Sequence, residues 1–146
     1  MSLSPGKNLE QHLAFTHVAA FSLGRSWRGL SKEERQEYIE VFTHYIGLVN
    51  AVRMREFDIA SLNIMSVNEA GKYDQLVLTH WQQPNQNPIQ VEWRVRTIKG
   101  QHKVLDIVIE GLSMAQTLRD EFQAVIQKDG LQGLLKRMRQ KIKQLG

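Results

Sequence analysis

The 146-residue sequence contains no cysteine, which removes disulfide staples, thiolate metal sites and cysteine nucleophiles together. No stretch approaches the ~18 consecutive apolar residues that a membrane-spanning helix needs. The opening, MSLSPGKNLEQH, has no apolar run that could serve as a secretory leader. Taken alone, such a start fits a cytosolic chain or one whose leader has been removed. A glycine-rich phosphate loop is missing, since Gly24 and Gly111 stand alone. The histidines, at 12, 17, 44, 80 and 102, include no i, i+4 pair of the zinc-enzyme kind, so no metal site is expected. There is no Gly-x-Ser-x-Gly elbow, and Gly111-Leu112-Ser113 is only half of one. With no internal repeat, low-complexity tract or linker, residues 1–146 read as a single domain.

What is present is the composition of an ordinary globular protein, 42% apolar and 23% charged, and long enough to bury a core. Much of the net charge of +4 sits in KRMRQKIK, Lys136 to Lys143. Such a segment is either a solvated helix face or a surface for an acidic partner.

The chain is organised as helices, then strands, then helices. A first helical region is predicted from Leu9 to Arg28. A second begins at Ser31, where Ser31-Lys32-Glu33-Glu34 spells a capping box. Tyr38, Ile39, Phe42, Tyr45, Ile46 and Val49 then form one apolar stripe. From Phe57 the period changes to two, and four strands follow: FDIASLNIMSV, DQLVLTHW, IQVEWRVRT and HKVLDIVIEG. In the third, Ile89, Val91, Trp93 and Val95 share one face while Gln90, Glu92, Arg94 and Arg96 share the other. Ser113 caps a further helix, with Gln116 at the position that completes a second capping box. Asp129-Gly130 ends that helix, and Leu131, Leu134, Leu135, Met138, Ile142 and Leu145 stripe a last one. The pattern predicts an α+β fold: a twisted, mainly antiparallel four-stranded sheet whose apolar face is covered by helices.

Catalytic chemistry has one foothold. Asp106 and Glu110 are four apart on a strand, so both point to one face, and burial could tune such a pair for acid–base work. The plainer alternative is that each carboxylate caps a backbone amide or pairs with Arg94 or Arg96. In EWRVR the mixture of aromatic and cation resembles a nucleic-acid stacking platform, but Trp93 and the arginines lie on opposite faces, so no nucleic-acid partner is expected. The abundant apolar positions suit a dry core or the lining of a cavity equally well.

Several ordered segments resemble the MlaC family, periplasmic phospholipid-binding components of an ABC transport system also known as toluene-tolerance proteins. They are AAFSLGRSWRGLSKEERQEYIEVF, PIQVEWRV, KVLDIVIEGLSMAQTLRDEF and DGLQGLL. The matching residues are Leu23, Gly24, Trp27, Arg28, Phe42, Asp106, Glu110, Gly111, Ser113, Arg119, Phe122, Gly130 and Leu134. The chain departs from the family pattern at His102 and Leu105, where tryptophan and tyrosine are usual, and at Ala14, where an aspartate is expected. A leader and a further N-terminal helical segment also usually precede this region.

The resemblance implies a carrier in the periplasm that takes a glycerophospholipid at one membrane and maintains outer-membrane lipid asymmetry. Its partners would be an inner-membrane ABC transporter complex and an outer-membrane lipoprotein complex. No cofactor beyond the bound lipid is implied. Two acyl chains in water represent on the order of 20 kcal/mol of hydrophobic free energy, so a cavity as apolar as the bilayer makes exchange nearly neutral. Candidate cavity residues are Trp27, Phe42, Ile46, Val49, Val91, Trp93, Val95, Ile107, Ile109, Leu118 and Phe122. Arg25, Arg28 and Lys103 are candidates to meet the headgroup phosphate. Two readings from other classes remain beside the carrier: a small cone-shaped enzyme using Asp106 or Glu110, and a solid-core interaction module with a basic C-terminal helix. An open apolar cavity favours the carrier, a polar-floored pocket the enzyme, and no pocket the module.

Overall fold

The computed structural model describes residues 13–54 and 61–146. Helix α1, Phe15–Leu23, stops at Gly24, whose φ of 55° and ψ of −128° suit glycine alone. A 3-10 turn over Gly24–Gly29 follows. The single helix expected from Leu9 to Arg28 is therefore cut short, and residues 9–12 lie outside the described residues. Gly24 has a second reason to lack a side chain: a Cβ there would lie 2.9 Å from Nη2 of Arg119. Helix α2, Lys32–Met54, starts as its sequence predicts. The Ser31 amide donates to Glu34 Oε1 at 2.9 Å, and the Glu34 amide donates to Ser31 Oγ at 3.1 Å.

The strands are β1 Leu62–Ala70, β2 Asp74–Trp81, β3 Ile89–Ile98, β4 Gln101–Ile109 and β5 Leu112–Ser113. They form one antiparallel sheet in chain order, with five strands where four were expected. The fifth exists because Glu110 and Gly111 both adopt positive φ, 50° and 83°. That conformation is the one a two-residue hairpin needs, and it folds Leu112 and Ser113 back onto Ile109 and Val108. The part of the first strand expected from Phe57 to Ala60 lies outside the described residues. Register places Thr79, Val91 and Ile109 in one row and Val77, Trp93 and Ile107 in the next. Arg94, opposite Leu76 and Asp106, points to the other face.

Helix α3, Met114–Leu145, contains both predicted C-terminal helices, joined through a kink at Gly130 (φ 72°). Its N-cap is half of the expected box. Ser113 Oγ accepts from the Gln116 amide at 3.0 Å, but the Gln116 side chain donates forward to Asp120 instead of back to the cap.

The main buried cluster is helical, Ala19, Leu23, Tyr38, Phe42, Phe122, Leu134, Leu135 and Met138, while Val91 of β3 is buried apart from it. Inside it the Tyr38 hydroxyl meets Ser22 Oγ at 2.6 Å, and burial pushes the phenol's pKa up. Among the described residues no strand side chain joins that cluster. Helices and sheet meet chiefly at β4 and β5. Among the described residues, α1 and the start of α3 lie against the face that carries Arg94 and Asp106, while on the apolar face Val91 and Thr79 are buried. Asp106 accepts from the first turn of α3, so the helix rises on the face that carries Asp106 and Arg94. Trp93 lies on the opposite face, where its indole N–H donates to Thr79 Oγ1 at 3.0 Å.

Gly24→Ala is expected to destabilise the fold by about 1–3 kcal/mol, from its backbone conformation alone. Gly29, where an added Cβ meets nothing, is the control, and Gly29→Ala should stay within about 0.5 kcal/mol of the parent. Urea unfolding of both variants measures the difference, and equal midpoints would remove Gly24 from the account of where α1 ends.

Candidate functional site

One turn of α1 brings His17, Val18 and Phe21 to a common face, opposite Arg94 and Arg96 of β3. Leu105 and Asp106 of β4 and Ala115 of α3 complete the wall of a pocket of about 370 Å3. Two consecutive strand residues rarely face one space. Here Arg94 pairs with Asp106 while Val95 pairs with Val104, so Leu105 is the extra residue of a β-bulge and both side chains reach the pocket. Phe21 is held from behind by Arg119, whose guanidinium carbon lies 4.8 Å from the ring centre and which packs against Gly24.

The two arginines of the wall are tied to a carboxylate that does not itself line the pocket. Asp74, at the start of β2 and 4% exposed, accepts from Nε and Nη2 of Arg96 and from Nε of Arg94 (2.6 Å). The Arg96 hydrogen bonds, reinforced by Arg94 and opposed by burial, hold the Asp74 carboxyl below its ordinary range. Asp106 is also fully engaged: it accepts from the amides of Ala115 (2.9 Å) and Ile107 (2.8 Å) and from the Ser113 hydroxyl.

The sequence-predicted cavity residues fall into two groups. Phe42 and Phe122 are buried in the helical core, with Trp27, Ile46 and Leu118 packed against it and Val49 partly buried on α2. Val91, Trp93, Val95, Ile107 and Ile109 share the sheet face that points away from Arg94. None of the eleven lines the pocket, and neither do Arg25, Arg28 or Lys103. Arg25 and Arg28 are exposed on the 3-10 turn, while Lys103 is half-buried on β4 opposite Arg96.

Asp106 and Glu110 do not form an acid–base pair. Strand β4 ends at Ile109, and Glu110, in its positive-φ turn, accepts from the Gln90 amide at 3.0 Å. Both carboxylates serve the backbone, as the plainer alternative held. Among the described residues no group of three His, Asp or Glu side chains is placed to hold a metal. Sequence reasoning missed the Asp74–Arg94–Arg96 cluster. Its only trace was the alternation of arginines on β3, because the position of Asp74 depends on a register that a single chain does not display.

Asp74→Asn removes a charged partner from two arginines that are a third to a half exposed and can turn to water. The expected cost is about 1–3 kcal/mol at neutral pH. Because the folded pKa is depressed, the stabilisation is complete above the unfolded value of about 4 and is lost as pH falls through the folded value. Thermal unfolding between pH 7 and pH 2 should show this acid limb in the parent and a shallower one in Asp74→Asn; parallel curves would mean that the cluster does not couple to stability.

Comparison with known proteins agrees with the motif residues. No curated protein sequence matches the chain. Among solved structures, the phospholipid-binding protein from Ralstonia solanacearum, in complex with a phospholipid, is similar at a TM-score of 0.76 and 23% identity. The alignment covers 92% of this chain and 76% of that one, and at such identity the similarity is one of fold. A family model described as MlaC protein matches residues 6–140, nearly the whole sequence, and the chain belongs to the MlaC family.

Proposed function

We propose that the protein is a phospholipid carrier and not an enzyme. Membership of the MlaC family over residues 6–140 carries this reading, and the phospholipid bound to a protein of the same fold supports it. The chemistry is consistent: the two carboxylates that could have acted as acid and base are occupied by backbone amides and a hydroxyl. A carrier makes and breaks no covalent bond. It offers acyl chains a surface about as apolar as the bilayer they leave, so the transfer of on the order of 20 kcal/mol of tail hydrophobicity is nearly balanced.

Two apolar regions could take the chains: the sheet face of Val91, Trp93, Val95, Ile107 and Ile109, and the helical core around Phe42 and Phe122. Val91 and the helical core are buried and would have to open. In the cell the carrier would work in the periplasm, between an inner-membrane ABC transporter complex and an outer-membrane lipoprotein complex, shuttling lipid in an Mla-type system.

Native mass spectrometry of the purified protein, with an organic extract of the same sample, tests the reading. A bound mass that the extract identifies as phospholipid is the expected result. An unliganded mass that persists after incubation with phospholipid liposomes would remove the carrier function.

A further inference from the structure

Family membership leaves open which part of this chain would meet the charged end of a lipid. We infer that the pocket between α1 and strands β3–β4 is an anion subsite, in which Arg94 and Arg96 receive the phosphate of the bound lipid. The inference rests on the carrier reading for the source of that phosphate, but on geometry for its place.

Arg94 gives only its Nε to Asp74, and its two terminal nitrogens have no partner among the described residues. Arg96 gives Nε and Nη2 and keeps Nη1. The guanidiniums are thus held in place by one carboxylate while three donor nitrogens stay available, and the Arg94 side chain is 45% exposed. This is the forked arrangement that phosphate oxygens accept from. Two arginines share Asp74, which leaves one positive charge in excess. Asp106, the carboxylate on the wall, keeps its own charge, but its oxygens are turned to the amides and hydroxyl at the start of α3, where the helix dipole is positive. The attraction for an anion is therefore local to the free guanidinium nitrogens. His17 is the remaining titratable group on the rim.

The rest of the wall, Val18, Phe21, Leu105 and Ala115, is apolar. It matches the carbons next to a phosphate and would do nothing for a free ion. A volume of about 370 Å3 is near the lower end for small-molecule pockets, ~300–1,000 Å3, which suits a headgroup with its first carbons better than two whole tails.

Titration calorimetry of the delipidated full chain with dodecyl phosphate, dodecanol and inorganic phosphate separates the possibilities. The expected order is dodecyl phosphate at least tenfold tighter than dodecanol, with inorganic phosphate weaker than dodecyl phosphate. Arg94→Gln should weaken dodecyl phosphate on the order of 10–100-fold and leave dodecanol unchanged, while Arg94→Lys keeps part of the preference. Asp74 retains both Arg96 hydrogen bonds in these variants, and a melting curve confirms the fold. Arg25→Gln, on the exposed turn, should change nothing.

Equal affinity for the two dodecyl ligands would overturn the subsite. So would a preference that survives Arg94→Gln or disappears with Arg25→Gln. Inorganic phosphate binding as tightly as dodecyl phosphate would assign the pocket to free phosphate and overturn the lipid source. The two readings fail separately. Retained phospholipid without a phosphate preference sinks the subsite alone. A phosphate preference in a chain that never takes up phospholipid sinks the carrier and the lipid source, leaving only the anion geometry.

Discussion

The carboxylate of Asp106 holds the molecule together. It accepts from the amide of Ala115 in the first turn of the longest helix and from the Ser113 hydroxyl that caps it. Among the described residues helices and sheet meet chiefly here, with α1 adding a second contact at Val104. Four features of the sequence serve this joint. Gly111 and Glu110 supply the positive φ values that reverse the chain within two residues. Leu112 and Ser113 then pair back onto β4, which brings Ser113 beside Asp106. Ser113 caps α3 through the Gln116 amide while its hydroxyl donates to the carboxylate. The amide of Ala115, which no residue within the helix can satisfy, is satisfied by Asp106. A buried-side carboxylate at a helix N-terminus is stabilised both by these donors and by the helix dipole. The joint also decides which face of the sheet meets the start of α3, and so which residues meet α1.

Each half of the fold has its own source of order. The helices close a core around Tyr38, Phe42, Phe122 and Leu135 without using a strand residue. The aromatic rings of Tyr38, Phe42 and Phe122 lie edge-on or tilted, with centroids 5.6 and 6.3 Å apart. The sheet is tied at its far end by Asp74, which crosslinks the beginning of β2 to two positions of β3. Its edge next to the helices is capped at both ends, by β5 at Val108 and by Leu13, which runs parallel to Val104. Exposure is concentrated on β1, where Ile64, Met65 and Val67 are more than half exposed, while Val91 and Thr79 in the middle of the sheet are buried.

Local signals were legible in the sequence. The capping box at Ser31, the stripe from Tyr38 to Val49 and the alternating faces of IQVEWRVRT all concern residues within a few positions of each other, where period and propensity decide. The motif residues were legible as a pattern before their physical reasons were. Gly24 and Arg119 belong together because one makes room for the other, and no spacing rule connects residues so far apart. The fifth strand was invisible because two residues carry no period; only the backbone of Glu110 and Gly111 specifies it. Which strand residues α1 and the start of α3 meet was not legible either, because the directional hydrogen bonds of Asp106 place them and no apolar period reports that.

On the carrier reading, the same preference for directed contacts bears on how tightly a headgroup would be held. A phosphate entering the pocket meets arginines that already share a carboxylate, so it adds to an existing ion pair and does not neutralise bare charge. Its gain is smaller than that of an anion meeting two unpaired guanidiniums, and it is smaller again because Arg94 is nearly half in water. Yet the guanidiniums need no reorganisation, because Asp74 fixes them before the lipid arrives. Weak attraction with little reorganisation favours fast exchange over long retention. That suits a protein which must release what it takes up, and it makes Asp74, which touches no ligand, the residue that sets the balance.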